Sequence, residues 1–248
     1  MGRSLAAFDQ TGAAMPGCVV RPEQTEGPYF VDQQLARRDI RTEPTTGIVS
    51  AGDVLTLALT VSDVTAGQCK PLPGAIVDVW QCDAKGVYSG VNDPSFNTSG
   101  QKFLRGVQTT DPSGLVRFTT IVPGWYSGRT VHIHFKIRTQ AAAGAYEFTS
   151  QWYFDDAWTE RILTGPSYAR AGKRDTFNSN DGIFQSGGRQ LMLDPTRGAE
   201  GAAASFGIGL DLADAVAGRP DGGGGRGRGP GGPPPPGGRG GRGQPRGQ

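Results

Sequence analysis

The sequence predicts an all-β fold: an antiparallel β-sandwich with long loops carrying the candidate site, followed by a disordered Gly/Pro/Arg-rich C-terminal tail. Three observations predict it. Runs of eight or nine residues alternate apolar with small or polar side chains, the period of a half-buried strand. Clusters of Gly, Pro, Asn, Asp and Ser separate the runs at fairly regular spacing, as in sandwiches. The final stretch, Gly218 to Gln248, has no aliphatic or aromatic side chain and cannot offset its ordering entropy.

Residues 1–17 read as a flexible arm. Residues 18–217 read as one domain, which a body of about 200 residues is long enough to form around a core. The segment from Thr25 to Phe30 holds a Gly-Pro turn followed by aromatics. Asp53–Val61 and Ala75–Cys82 alternate as strands. Asp111-Pro112-Ser113-Gly114 is a turn leading into a third strand, Leu115–Val122. Thr130–Ile137 and Tyr146–Phe154 continue the series. Ala157–Leu163 reads as one short helix, and Leu191–Asp194 and Gly207–Leu212 as closing strands.

Formal net charge is +2, but the tail holds six arginines and one acid; without it the body carries 19 basic and 22 acidic residues. The body is therefore not a basic nucleic-acid binder. The tail's Arg-Gly steps resemble a short RGG-type segment with weak RNA or anionic-surface contact; the plainer reading is a solvated tail. Cys18, Cys69 and Cys82 allow at most one internal disulfide, with Cys18–Cys69 as the expected pair and Cys82 buried in a strand. No apolar run reaches the length of a membrane span. As the chain stands no signal peptide is seen, so the expected compartment is the cytoplasm, or the exterior if a leader was removed.

The chain has two histidines, His132 and His134. On a strand, residues two apart share a face, about 6.5–7 Å apart, so both imidazoles can reach one metal. The alternative is two polar residues on a solvent face. Glu147 and Asp155, the next acids, lie in a different segment, so no His-His-carboxylate triad is evident. Tyr126 sits on a tight turn just before the histidines, and Tyr88 follows the turn Asp83-Ala84-Lys85-Gly86. Taken singly, each tyrosine reads as a packing residue.

Three stretches together resemble the intradiol ring-cleavage dioxygenases: Cys18 to Phe30 with Glu-Gly-Pro-Tyr, Gly74 to Ser89 through Val79-Trp80-Gln81-Cys82, and Phe103-Leu104-Arg105-Gly106 through Pro123-Gly124-Trp125-Tyr126 to His132-Ile133-His134-Phe135. The resemblance spans about residues 18–155. It implies one non-haem Fe(3+) per chain, with Tyr88 and Tyr126 as tyrosinate ligands and His132 and His134 as neutral imidazole ligands. A hard ferric ion favours phenolate oxygen. Ionising a tyrosine at pH 7 costs about 4 kcal/mol, which a trivalent metal readily supplies. The resemblance further implies that a catechol binds as a dianion and O₂ attacks the activated ring, giving a muconate-type diacid. Tyr126 would leave the metal and take a proton. Arg129 would stabilise developing negative charge, Gln151 would help place the oxygen-derived intermediate, and Pro28 and Tyr29 would line the substrate pocket.

Two departures from the family pattern matter. Only Ser127 and Gly128 separate Tyr126 from Arg129, which should leave the site open to a broad range of catechols. The N-terminal helical dimerisation region of the catechol dioxygenases has no counterpart, so oligomeric state stays open. Two other readings compete. One is a non-catalytic β-sandwich module binding carbohydrate or another ligand through Trp80, Trp125, Trp152 and Trp158. The other is a zinc or iron(II) site using both histidines and a distant carboxylate.

Overall fold

A computed structural model describes residues 18–142 and 144–214; the expected arm and tail lie outside them. The strands run β1 (Val54–Asp63), β2 (Lys70–Pro71), β3 (Ile76–Trp80), β4 (Asn92–Asp93), β5 (Phe96–Asn97), β6 (Arg105–Thr109), β7 (Leu115–Ile121), β8 (His132–Ala141), β9 (Gly144–Tyr153), β10 (Thr196–Gly198) and β11 (Gly201–Leu210). Helix α1 spans Asp156–Leu163 and the single turn α2 spans Gly182–Gln185. No helix among the described residues is long and apolar enough to cross a membrane.

Two sheets stack on a shared core. In the first, β1 lies between β11 on one edge and β7 with β2 on the other. Leu55, Leu57, Leu59 and Val61 of β1 face inward while Val54, Thr56, Ala58 and Thr60 are only partly buried, the pattern of a one-sided sheet. The second has the order β6-β3-β8-β9, antiparallel throughout. Its inner face supplies Val77, Val79, Ile133, Phe135, Ile137, Phe148 and Trp152 to the core. Its outer face is also buried: His132, His134 and Lys136 are at most 3% exposed. The segment 22–30 covers that face. Gln24 N donates to the Thr149 carbonyl, Gln151 Nε2 to the Thr25 carbonyl, and Lys136 pairs with both Glu26 and Glu147.

The all-β sandwich agrees with the sequence expectation, with one parallel strand pair among the described residues, β1 to β11. Leu191–Asp194 is not a strand. Leu191 ends a 3-10 turn, and Met192 forms one bridge to Tyr153 before Pro195, which has no N–H to extend a ladder. The closing strand begins at Gly201, six residues before the expected start. Its Gly-Ala-Ala-Ala opening has little intrinsic strand preference; pairing with β1 and β10 imposes the conformation. Helix α1 starts at Asp156, one residue before the expected Ala157, with Asp155 accepting from Trp158 N as its cap.

Cys18 and Cys69 form the expected disulfide across 51 residues of chain, and Cys82 is free and buried. Closing a loop of that length removes about 4 kcal/mol of unfolded-state entropy. Cys69→Ser should lower the unfolding free energy measured in urea by a matching amount; an unchanged free energy would mean that the bridge does not constrain the unfolded chain.

Candidate metal centre

Two turns bring the tyrosines in. After β3, Asp83 Oδ1 accepts from the backbone N–H groups of Lys85 and Val87, an Asx turn that aims Tyr88 inward. The second turn carries Tyr126 and closes as a bridge between Tyr126 and Arg129. The two turns touch backbone to backbone: a Cβ on Gly86 would stand 2.4 Å from the Trp125 carbonyl oxygen, and one on Gly124 2.4 Å from that of Ala84. Only glycine permits this approach, and Gly86 also has φ +82°.

The histidines come from β8. Trp80 is the cross-strand partner of His134, and its ring stacks on the imidazole with centroids 4.9 Å apart. Gly27 lies against the same ring. The His132 Nδ1–H donates to the Thr130 carbonyl at 2.6 Å, which leaves the Nε2 lone pair pointing into the site. Three donor atoms surround that nitrogen: His134 Nε2 at 3.0 Å, Tyr126 Oη at 3.2 Å and Tyr88 Oη at 3.4 Å. Atoms each about 2 Å from a common ion lie about 2.9–3.4 Å apart, so this donor set fits one metal ion. No cluster of three or more His, Cys, Asp or Glu that could hold a metal occurs among the described residues, so the His-His-carboxylate alternative lacks its third ligand.

The electrostatics of the bare protein match this geometry. Burial pushes both histidines well below their usual pKa, with Arg129 adding to the effect, so they stay neutral ligands. Burial also pushes the Tyr88 and Tyr126 phenols up. They are protonated at neutral pH until a cation binds beside them.

The other expected residues gather here too. Arg129 Nη1 is 3.5 Å from His132 Nε2, while its Nη2 donates to Gln151 Oε1 at 2.5 Å. Burial opposes the Arg129 charge, but Tyr126 and Asp181 more than offset this and raise its pKa. Tyr29 stacks on Tyr88 with centroids 4.6 Å apart and donates to Asp93 at 2.8 Å; burial and that bond push its pKa up to about 12. Pro28 is exposed, in the turn between Gly27 and Tyr29. Sequence reasoning missed Asp175, Asp181 and Tyr153. Asp175 accepts from the Ser127 hydroxyl and Gly128 N, holding the short turn. Tyr153 donates to Gln24 Oε1 and Gln151 Oε1.

A model described as "Dioxygenase" matches residues 25–165. The chain belongs to the intradiol dioxygenase family. Among solved structures, an intradiol ring-cleavage dioxygenase from Tetranychus urticae superposes with a TM-score of 0.67 at 29% identity, over 79% of this chain and 96% of that one. The dioxygenase domain of a dioxygenase carbohydrate-binding protein fusion from Streptomyces sp. SirexAA-E superposes at 0.56 with 30% identity, over 79% and 100% of the two chains. A chlorocatechol 1,2-dioxygenase from Pseudomonas putida is 30% identical over 102 residues, 34% of this chain and 36% of that protein. The chain spans about a third of the length of the curated relatives it matches.

For this family member the binding-module reading loses its surface. Trp80 and Trp152 are each 1% exposed and belong to packed clusters, and Trp125 and Trp158 pack partly buried against the core. A groove of about 680 Å³ lined by Thr45, Ile48, Val49 and Phe103 contains none of the four candidate ligands.

Proposed function

We propose that the protein cleaves catechol-type rings with O₂ between the two hydroxylated carbons, giving muconate-type diacids. One ferric ion would be held by Tyr88, Tyr126, His132 and His134. The observation that carries this reading is the convergence of two phenol oxygens and a second imidazole on His132 Nε2 within 3.4 Å. Ferric iron, when bound, supplies the Lewis acidity that ionises the phenols and draws both catechol oxygens onto one centre.

The chain's own groups divide the remaining work. Tyr88 is fully buried and serves as a permanent ligand. Tyr126 is half-buried at the rim, so its Oη can meet a catechol hydroxyl and take the proton. Arg129 Nη1 offers a fixed donor to negative charge developing on the substrate, the preorganised kind of stabilisation. Gln151 holds the other side of that guanidinium. Tyr29, stacked on Tyr88, and the exposed Pro28 border the approach. The Cys18–Cys69 disulfide supports work in an oxidising compartment outside the cytosol.

A visible spectrum of the purified protein, before and after anaerobic catechol, tests the reading. The expected result is a tyrosinate-to-iron band that shifts to longer wavelength, followed by diacid formation when air is admitted. A protein that stays colourless after iron reconstitution would sink the ligand assignment.

A further inference from the structure

Arg129 has three nitrogens, and two are committed. Nε donates to Asp181 Oδ2 at 2.9 Å and Nη2 to Gln151 Oε1 at 2.5 Å. Nη1 remains, 3.5 Å from His132 Nε2, on the side where substrate must sit. Asp181 itself is 2% exposed and uses both oxygens. Oδ2 also accepts from Thr130 N, the residue whose carbonyl fixes the His132 ring. Oδ1 accepts from Ile183 N and Phe184 N, capping α2.

We propose that Asp181 is a positioning residue that, with Gln151, locks Arg129 so that only its Nη1 edge faces the reacting ring. The proposal rests on the reading of the site as a ring-cleaving centre. A guanidinium is a rigid planar fork, so fixing two of its nitrogens fixes the third. A buried carboxylate against Nε also balances the Arg129 charge, so the cation need not swing toward the tyrosine oxygens for a partner.

Asp181→Asn separates this role from the helix cap. Asparagine caps about as well as aspartate, so its Oδ1 can keep the Ile183 and Phe184 bonds. The second atom becomes an NH₂ that meets Arg129 Nε–H and Thr130 N–H donor to donor. Wild type must first show the iron band and catechol cleavage; if it does not, the functional reading fails before this proposal is reached. Given an active wild type, D181N should keep the band, its iron content and KM for catechol, and lose roughly tenfold to a hundredfold in kcat. In an Arg129→Ala background the same change should cost far less, since most of its effect runs through Arg129 and only the Thr130 N–H acceptor is still lost. A wild-type kcat for D181N would overturn the proposal. So would an equal loss in the R129A background or a parallel loss of iron, either of which would assign Asp181 a general structural role.

Discussion

Tyr88→Phe is expected to give a folded protein that has lost iron and ring cleavage together. The Tyr88 side chain is fully buried, and its hydroxyl meets only His132 Nε2, at 3.4 Å, and the Tyr126 phenol among the described residues. Phenylalanine fills the same volume, so no cavity forms. Deleting a weakly bonded buried hydroxyl changes stability by about 1 kcal/mol or less. The metal loses a ligand outright, which should exceed the roughly 10–100-fold cost of removing an outer partner. Tyr126→Phe is the informative contrast. Like Tyr88→Phe it leaves three ligands, but the one lost is the half-buried rim ligand and proposed base rather than the fully buried permanent one, so more iron should remain while turnover still collapses. Iron per chain, melting temperature and catechol consumption, measured on both variants, separate the two roles. Equal iron content in wild type and Y88F would remove Tyr88 from the ligand set.

The line between what was legible in the sequence and what was not follows sequence distance. The face shared by His132 and His134 is a local consequence of strand period, and it holds on β8. Five strands between Val54 and Tyr153, β1, β3, β7, β8 and β9, alternate clearly enough to be placed within a few residues, whereas β6 and the two-residue β2, β4 and β5 carry no such signal. The tyrosines are different: nothing in their local sequence marks them as ligands, and they were identified through family resemblance. Burial of the outer face of the second sheet was not legible either. Nothing in the local pattern around Lys136 marks its charge as buried, yet the segment 22–30 covers that face and pairs Lys136 with Glu26. Asp181 was invisible for the same reason. It lies in a polar stretch with no periodicity, 52 residues from the arginine it holds, and only the fold brings the two together.

The metal-free protein should be unusually sensitive to mild acid. His132 and His134 have folded-state pKa values well below the usual 6.5, first because burial disfavours their charged forms and then because of neighbouring positive charge. In the unfolded chain both take up protons as pH falls through 6.5. In the folded chain they refuse them. The unfolded state therefore binds more protons below pH 6.5, and folding stability falls as pH falls. Each group contributes about 1.4 kcal/mol per pH unit once its unfolded form is protonated, so two histidines together remove nearly 3 kcal/mol per unit. Asp78 and Asp83, whose carboxyls burial pushes up, act in the opposite sense, so a variant must isolate the histidine contribution. Urea unfolding of chelator-treated protein at pH 7.5, 6.5 and 5.5 should show a steep loss across the last interval, and His132→Gln should roughly halve that slope. A wild-type slope no steeper than the variant's would mean that His132 takes up its proton in the folded state, which is incompatible with a buried imidazole kept neutral for metal binding.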